Sequence, residues 1–115
     1  MNIEAKLIEY LNDELDVPVS TDVPKKRPES FVTIERTGGA LTDVVIDHAD
    51  VAIQAWAPSR LEAAELMDRV DSAVLSMDFL NFIEVSRDSL YNFPDYEYSM
   101  ARYQGLYEIV FYKED

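Results

Sequence analysis

The sequence contains no cysteine, only three glycines and a single histidine among its 115 residues. Without cysteine, disulfides and thiolate metal sites are excluded, and nothing indicates an oxidising compartment. Three glycines are too few for a phosphate-binding loop or a dinucleotide-binding fingerprint. Any Ser-His-Asp arrangement would depend on His48 alone. These shortages argue against the common classes of enzyme and cofactor-binding protein.

Cationic residues are also scarce. The chain has 23 acidic and 10 basic residues, which gives a formal net charge of −13. Phosphate backbones bind proteins through Lys and Arg, so we expect no direct binding to nucleic acid or to anionic membranes. Two interpretations of the charge stay open, namely solubility alone or a surface that nucleic acid passes without binding.

The amino terminus and the hydropathy pattern bear on location. Residues 1–6 lack the basic and apolar regions of a signal peptide. No apolar stretch approaches the roughly 18 residues of a membrane span. We therefore expect a cytoplasmic protein that forms one domain over residues 1–115.

The spacing of apolar residues predicts two amphipathic helices. The first covers Asn2 to Leu15, with Asn2 as its N-cap. The second begins at Ser59, which can form a capping box with Glu62. The predicted apolar stripe of the second helix consists of Ala63, Leu66, Met67, Val70, Ala73, Val74 and Met77.

The rest of the chain predicts strands. The proline-containing segment 17–30 is expected to be an edge strand and a loop, and further strands are expected at 31–37, 44–56, 82–91 and 102–112. Gly38-Gly39 is expected to supply the turn of a hairpin, with a bulge or a change of partner near His48. The resulting fold is α+β, a mainly antiparallel sheet covered by two helices in the order α-β-β-β-α-β-β.

Two acidic clusters are candidates for a catalytic or metal-binding site. Asp47 and Asp50 flank His48, but strand alternation places the two carboxylates on opposite faces. The carboxylates at positions 62, 65, 68 and 71 lie on the polar face of a helix, where similar environments do not separate their pKa values. We predict no catalytic residue, no metal site and no cofactor.

Two loops are candidate binding segments. The basic run Lys25-Lys26-Arg27 is either an ordinary polar loop or a docking element for an acidic neighbour such as a second copy of the chain. The loop at 92–100 carries Tyr96 and Tyr98, both of which we expect to be exposed.

The order of these motifs resembles a known family. An extended segment at 21–28 leads into Phe31–Gly39, which ends in Arg36-Thr37-Gly38-Gly39. A strand ending in Gln-Ala-Trp-Ala at 54–57 follows, and the loop at 91–95 precedes a tyrosine-rich last strand. Over nearly its whole length the chain resembles the tail terminator, or tail completion, proteins of siphophages and of prophages in Gram-positive bacteria.

The resemblance implies a structural role. Proteins of this family form rings, typically of six copies, that cap the tail tube at full length and present a surface to the head. The implied partners are further copies of the chain, the major tail tube protein and the head connector or head-completion protein. The implied location is the host bacterial cytoplasm during assembly and then the head-proximal end of the virion tail. No enzymatic activity and no cofactor go with the family.

The predicted interface follows from loop placement and from these motifs. It comprises Lys25, Lys26, Arg27, Arg36, Gly38, Gly39, Tyr96 and Tyr98. Two alternative functions stay open, a head-completion or connector protein and a small binding module unrelated to phage.

Overall fold

The computed structural model of the chain describes residues 2–113, and Met1, Glu114 and Asp115 of the predicted domain lie outside them. The elements follow the predicted order. They are α1 (Ile3–Glu14), β1 (Val19–Ser20), β2 (Phe31–Leu41), β3 (Ile46–Ala57), α2 (Arg60–Leu75), β4 (Phe82–Asn92) and β5 (Ala101–Tyr112). In the part of the chain described, no helix has the length and apolar character needed to cross a membrane.

The five strands form one sheet in the order β1-β2-β3-β5-β4. All neighbours are antiparallel except β1, a two-residue edge strand that runs parallel to β2. Strands β3 and β5 pair along their whole lengths, from Ile46 opposite Tyr112 to Ala57 opposite Ala101. Strand β5 therefore lies inside the sheet, which explains why its sequence is apolar on both faces.

Both helices pack on one face of the sheet. Asn2 Oδ1 accepts a hydrogen bond from Ala5 N at 3.2 Å, and Ser59 Oγ accepts one from Glu62 N at 3.2 Å, so both predicted caps are confirmed. The predicted stripe of α2 faces the core, although Ala73 is only partly buried. Core side chains from the helices and the sheet include Ile3, Leu7, Leu11, Val32, Ile34, Val51, Ile53, Leu66, Met67, Val70, Ile109 and Phe111.

A polar contact links α2 to the middle of the sheet. Tyr107 is buried, and its hydroxyl donates a hydrogen bond to Asp71 Oδ1 at 2.8 Å. Arg87 on β4 donates to the other oxygen of the same carboxylate at 2.7 Å. The ring of Tyr107 lies over Gly105, where an added Cβ would come within 2.7 Å of Tyr107 Cε2. Gly105 therefore provides the space in which this tyrosine reaches the helix.

The prediction that Gly38-Gly39 forms the hairpin turn is wrong. Both glycines lie inside β2, where they pair with Asp50 and Ala49. The turn comprises residues 42–45, and Thr42 N donates to Ile46 O at 3.2 Å to close it. The expected irregularity lies on β2 and not at His48, because the register shifts between Arg36 and Gly38.

Thr37 is the extra residue of this irregularity, and Gly39, two residues further on, has a backbone conformation that favours glycine. Its φ is +136°, a region that residues with a side chain rarely adopt. A Cβ at this position would collide with the carbonyl oxygen of His48 and come within 3.0 Å of Arg36 Nη2. The glycine pair in the sequence therefore marks a bulge in a strand and not a turn.

We expect Gly39→Ala to lower the free energy of unfolding by about 2 kcal/mol, since it adds both backbone strain and a steric clash. Gly38→Ala is the matched control. Its φ is not positive and its added Cβ would lie 3.6 Å from Asp50 Oδ2, an ordinary contact, so its effect should stay within about 0.5 kcal/mol. Chemical denaturation of both variants checks this, and equal losses would contradict it.

Burial, followed by the hydrogen bond to Asp71, raises the pKa of Tyr107 above its ordinary value of 10.0. The folded state therefore favours the neutral hydroxyl. Its contribution to stability is complete below about pH 10 and decreases at higher pH, as the tyrosine of the unfolded chain ionises. We expect Tyr107→Phe to cost about 1 kcal/mol at pH 7 and to unfold with a shallower loss of stability above pH 10 than the parent chain. Denaturation at pH 7 and at pH 10–11 measures both effects, and parallel losses would contradict the assignment.

Candidate functional site

The sheet face opposite the helices, here called the open face, carries a row of polar side chains across four strands. Thr33, Gln54, Gln104 and Tyr91 are cross-strand neighbours on β2, β3, β5 and β4. Thr33 Oγ1 donates to Gln54 Oε1 at 2.7 Å, Gln54 Nε2 donates to Gln104 Oε1 at 2.5 Å, and Gln104 Nε2 donates to the Tyr91 hydroxyl oxygen. This row provides partners for Thr33 and Gln104, which are buried even though no helix covers this face.

Two arginine and three aromatic side chains pack together next to this row. We call them the arginine–aromatic stack, and in order of contact they are Arg27, Tyr98, Trp56, Arg102 and Phe93. The guanidinium of Arg102 lies 4.7 Å from the ring centroid of Trp56 and 4.1 Å from that of Phe93. Tyr98 meets Trp56 edge-on at 6.1 Å, and Arg27 covers Tyr98 at 4.6 Å. Each arginine is held by cation–π contacts.

Hydrogen bonds fix the stack to the sheet. Trp56 Nε1 donates to Thr33 Oγ1 at 2.9 Å, which connects the stack to the polar row. Arg102 Nε donates to Phe93 O at 2.7 Å, and Tyr98 N donates to Asp95 Oδ2 at 2.5 Å. The loop after β4 is therefore held over the open face by contacts at both of its ends.

A groove of about 530 Å³ lies between this loop and the segment that follows β1. Its floor is the polar row, and Trp56 and Arg102 lie at one end. Four carboxylates line it, those of Asp22, Glu35, Asp95 and Glu97. The groove is thus acidic along its sides and aromatic at its end.

The structure brings together some of the predicted interface residues. Lys25, Lys26 and Arg27 are exposed, and Arg27 meets Tyr98 although the two are 71 positions apart in the sequence. Tyr96 is 88% exposed, as expected. The expected exposure of Tyr98 is wrong, because its ring is partly buried against Trp56.

Arg36, Gly38 and Gly39 lie away from the stack. Arg36 Nη2 lies 3.3 Å from Asp47 Oδ1, and Arg36 Nε donates to Gly38 O at 3.1 Å. The backbone N–H of Arg36 donates to Glu4 Oε2 at 2.9 Å. The Glu4 side chain therefore occupies this part of the edge of β2. These contacts give Arg36 a role in holding the bulged strand in place.

The hairpin tip, residues 41–45, is a second exposed surface. Its apolar side chains are turned to solvent, with Val44 82% exposed and Leu41 and Val45 about half exposed. Strand β3 runs from this tip to Trp56 in the stack, a distance of about 33 Å at the usual rise per residue. The two surfaces therefore lie at opposite ends of the sheet.

His48 and the acidic side chains next to it in the sequence all lie within residues 2–113. Within this range no group of three His, Asp or Glu side chains is placed to hold a metal ion. His48 Nδ1 lies 3.8 Å from Glu108 Oε1 on the open face, while the carboxylate of Asp47 contacts Arg36.

Three members of the stack, Trp56, Arg102 and Phe93, are not among the interface residues predicted from the sequence. A signal existed in the alternation Gln54-Ala55-Trp56 and Arg102-Tyr103-Gln104, which places Gln54 with Trp56 and Arg102 with Gln104 on single strand faces. The pairing of β3 with β5, which brings those faces together, is not visible in either segment alone.

Trp56 is the only tryptophan, so its fluorescence reports on the stack. At 3% exposure it should emit in the range of a buried indole. We expect Tyr98→Ala to shift this emission to longer wavelength and to cost about 1 kcal/mol of stability. Tyr96→Ala, which removes an exposed ring from the same loop, should change neither quantity. Unaltered emission from Tyr98→Ala would contradict the assigned contact.

Comparison with known protein families and with curated protein sequences found no match for this chain.

Proposed function

We propose that the chain is a tail terminator subunit that caps a phage tail tube, stops its elongation and presents a surface for attachment of the head. The observation that carries this proposal is the presence of two separate exposed surfaces at opposite ends of one sheet, the arginine–aromatic stack and the hairpin tip. A protein placed between a tube and a head needs two such surfaces, because it binds different partners on its two sides.

The stack has the composition of a protein-binding hot spot. Trp, Tyr and Arg dominate the binding energy of protein interfaces, particularly where their side chains are already held in place. Trp56 is buried and supports the accessible members of the stack from beneath. Arg102 is held by a hydrogen bond before any partner arrives, so its side chain loses little conformational entropy on binding. The exposed ring of Tyr96 extends this surface toward solvent.

The hairpin tip offers a different kind of contact. Leu41, Val44 and Val45 are apolar, exposed and adjacent, a combination typical of surfaces that become covered on association. The bulge at Thr37 and the ion pair of Arg36 lie on the strand that leads to the tip.

The charge is consistent with a ring through which DNA passes. A net charge of −13 repels phosphate, so DNA would cross an acidic opening without being retained. The same charge supports the further proposal that the chain has no direct contact with nucleic acid. In this role the chain acts without catalysis and without a cofactor.

The test is to add the chain to polymerising tail-tube protein encoded by the same genome and to measure tube lengths by electron microscopy. We expect the parent chain to shorten the tubes because capped ends stop growing. Tyr96→Ser alters the stack end and Val44→Ser alters the tip. One of these variants should lose the effect on length, which identifies the end that meets the tube.

Leu61→Ser is the matched control, because Leu61 is an exposed apolar residue on α2, which packs on the sheet face opposite the stack, and it lies at the end of the sheet far from the hairpin tip. It should shorten tubes as the parent chain does. Tubes of unchanged length with the parent chain would contradict the tail terminator proposal. A head-completion or connector protein would give that result and would instead bind the head connector.

A further inference from the structure

The basic loop carries two lysines that form no ion pair with the other residues of the range 2–113. Within residues 2–113 the ion pairs use Arg36, Arg69, Arg87 and His48, and none involves Lys25 or Lys26. Both lysines are exposed, and they lie between Pro24 and Pro28. Each proline fixes its own backbone φ, so the loop loses little conformational freedom when it binds.

A groove of complementary charge lies on the helix layer. It has a volume of about 540 Å³ and separates the end of α1 from the second half of α2. The carboxylates of Glu14, Asp16 and Asp68 line it, while Leu15 and Ala73 supply an apolar part of its wall. Arg69 compensates only Asp16, at 2.9 Å, so the lining keeps a net negative charge.

The loop and the groove belong to opposite sides of the sheet. Arg27 contacts Tyr98 on the open face, whereas the groove lies between the two helices. The loop of one copy therefore has to reach the groove of another copy. A contact between two different patches is heterologous, and repetition of it closes into a ring if the rotation allows.

We propose that Lys25 and Lys26, in the basic loop of one copy, insert into the groove between α1 and α2 of the next copy, while Arg27 keeps its contact with Tyr98. The occupant is a second copy because this chain itself carries a proline-bracketed cationic loop that complements the acidic lining. The proposal specifies the contact by which the ring would form, and to that extent it rests on the proposed function.

Neutralising variants on the two sides test the contact. Lys25→Ala with Lys26→Ala removes two of the three positive charges of the loop, and Glu14→Gln with Asp68→Asn removes two negative charges from the groove. We expect the parent chain to self-associate in sedimentation experiments extending to about 1 mM, and each double variant to associate at least about tenfold more weakly. Added salt should weaken the association of the parent chain, because exposed charges are screened.

A mixture of the two double variants gives the sharpest result. Each lacks one half of the contact, but the intact loop of the groove variant can still enter the intact groove of the loop variant. The mixture should therefore form a one-to-one dimer and no larger species, at concentrations where each variant alone associates at least about tenfold more weakly than the parent chain. A two-fold symmetric dimer, in which the same single patch of both copies forms the contact, would not give this outcome.

Controls of matched type carry the same charge changes elsewhere. Arg60→Ala with Lys113→Ala removes two exposed cations, and Glu84→Gln with Asp88→Asn removes two exposed carboxylates from β4. Both should associate like the parent chain. The proposal is overturned if the parent chain stays monomeric throughout, if the loop and groove variants associate normally, or if their mixture yields no dimer.

Tube capping is measured separately, so the two proposals can fail independently. A chain that associates through the loop and groove but leaves tube lengths unchanged contradicts the tail terminator role alone. Loop and groove variants that cap tubes as efficiently as the parent chain contradict the loop–groove contact alone.

Discussion

The structure depends most on the pairing of β3 with strands on both sides. Strand β3 pairs with β2 from Trp56 to Asp47 and with β5 from Ile46 to Ala57. A slip of one residue in either pairing would turn the core side chains Val51 and Ile53 to the wrong face. The register is therefore set by core burial, and it places Trp56 at one end of the sheet and the hairpin tip at the other.

Because both helices cover the same face, the other face has to satisfy its polar groups without a second layer. The row from Thr33 to Tyr91 does this with side chains, and the loop after β4 adds Tyr98 above Trp56. Among the described residues no buried side-chain nitrogen or oxygen lacks a partner. The open face is thus rigid and already satisfied, which suits a surface that recognises a partner without rearrangement.

The few cations of this acidic chain have distinct uses. Arg36 holds the bulged strand, Arg87 supports the carboxylate that binds Tyr107, and Arg102 stacks between two aromatic rings. The lysines of the basic loop have no such use within residues 2–113. Three adjacent cations in one exposed loop favour orientation-specific association with an acidic surface.

The sequence by itself determined the two helices, their caps, the strands and the α+β order, because apolar periodicity and capping are properties of neighbouring residues. It also indicated the basic loop and the tyrosine loop. It misplaced the hairpin turn, since a glycine pair supports either a turn or a bulge, and only the pairing of β2 with β3 distinguishes them. The stack was decided by tertiary structure alone: Arg27 meets Tyr98, and Trp56 meets Arg102, across separations that no local pattern spans.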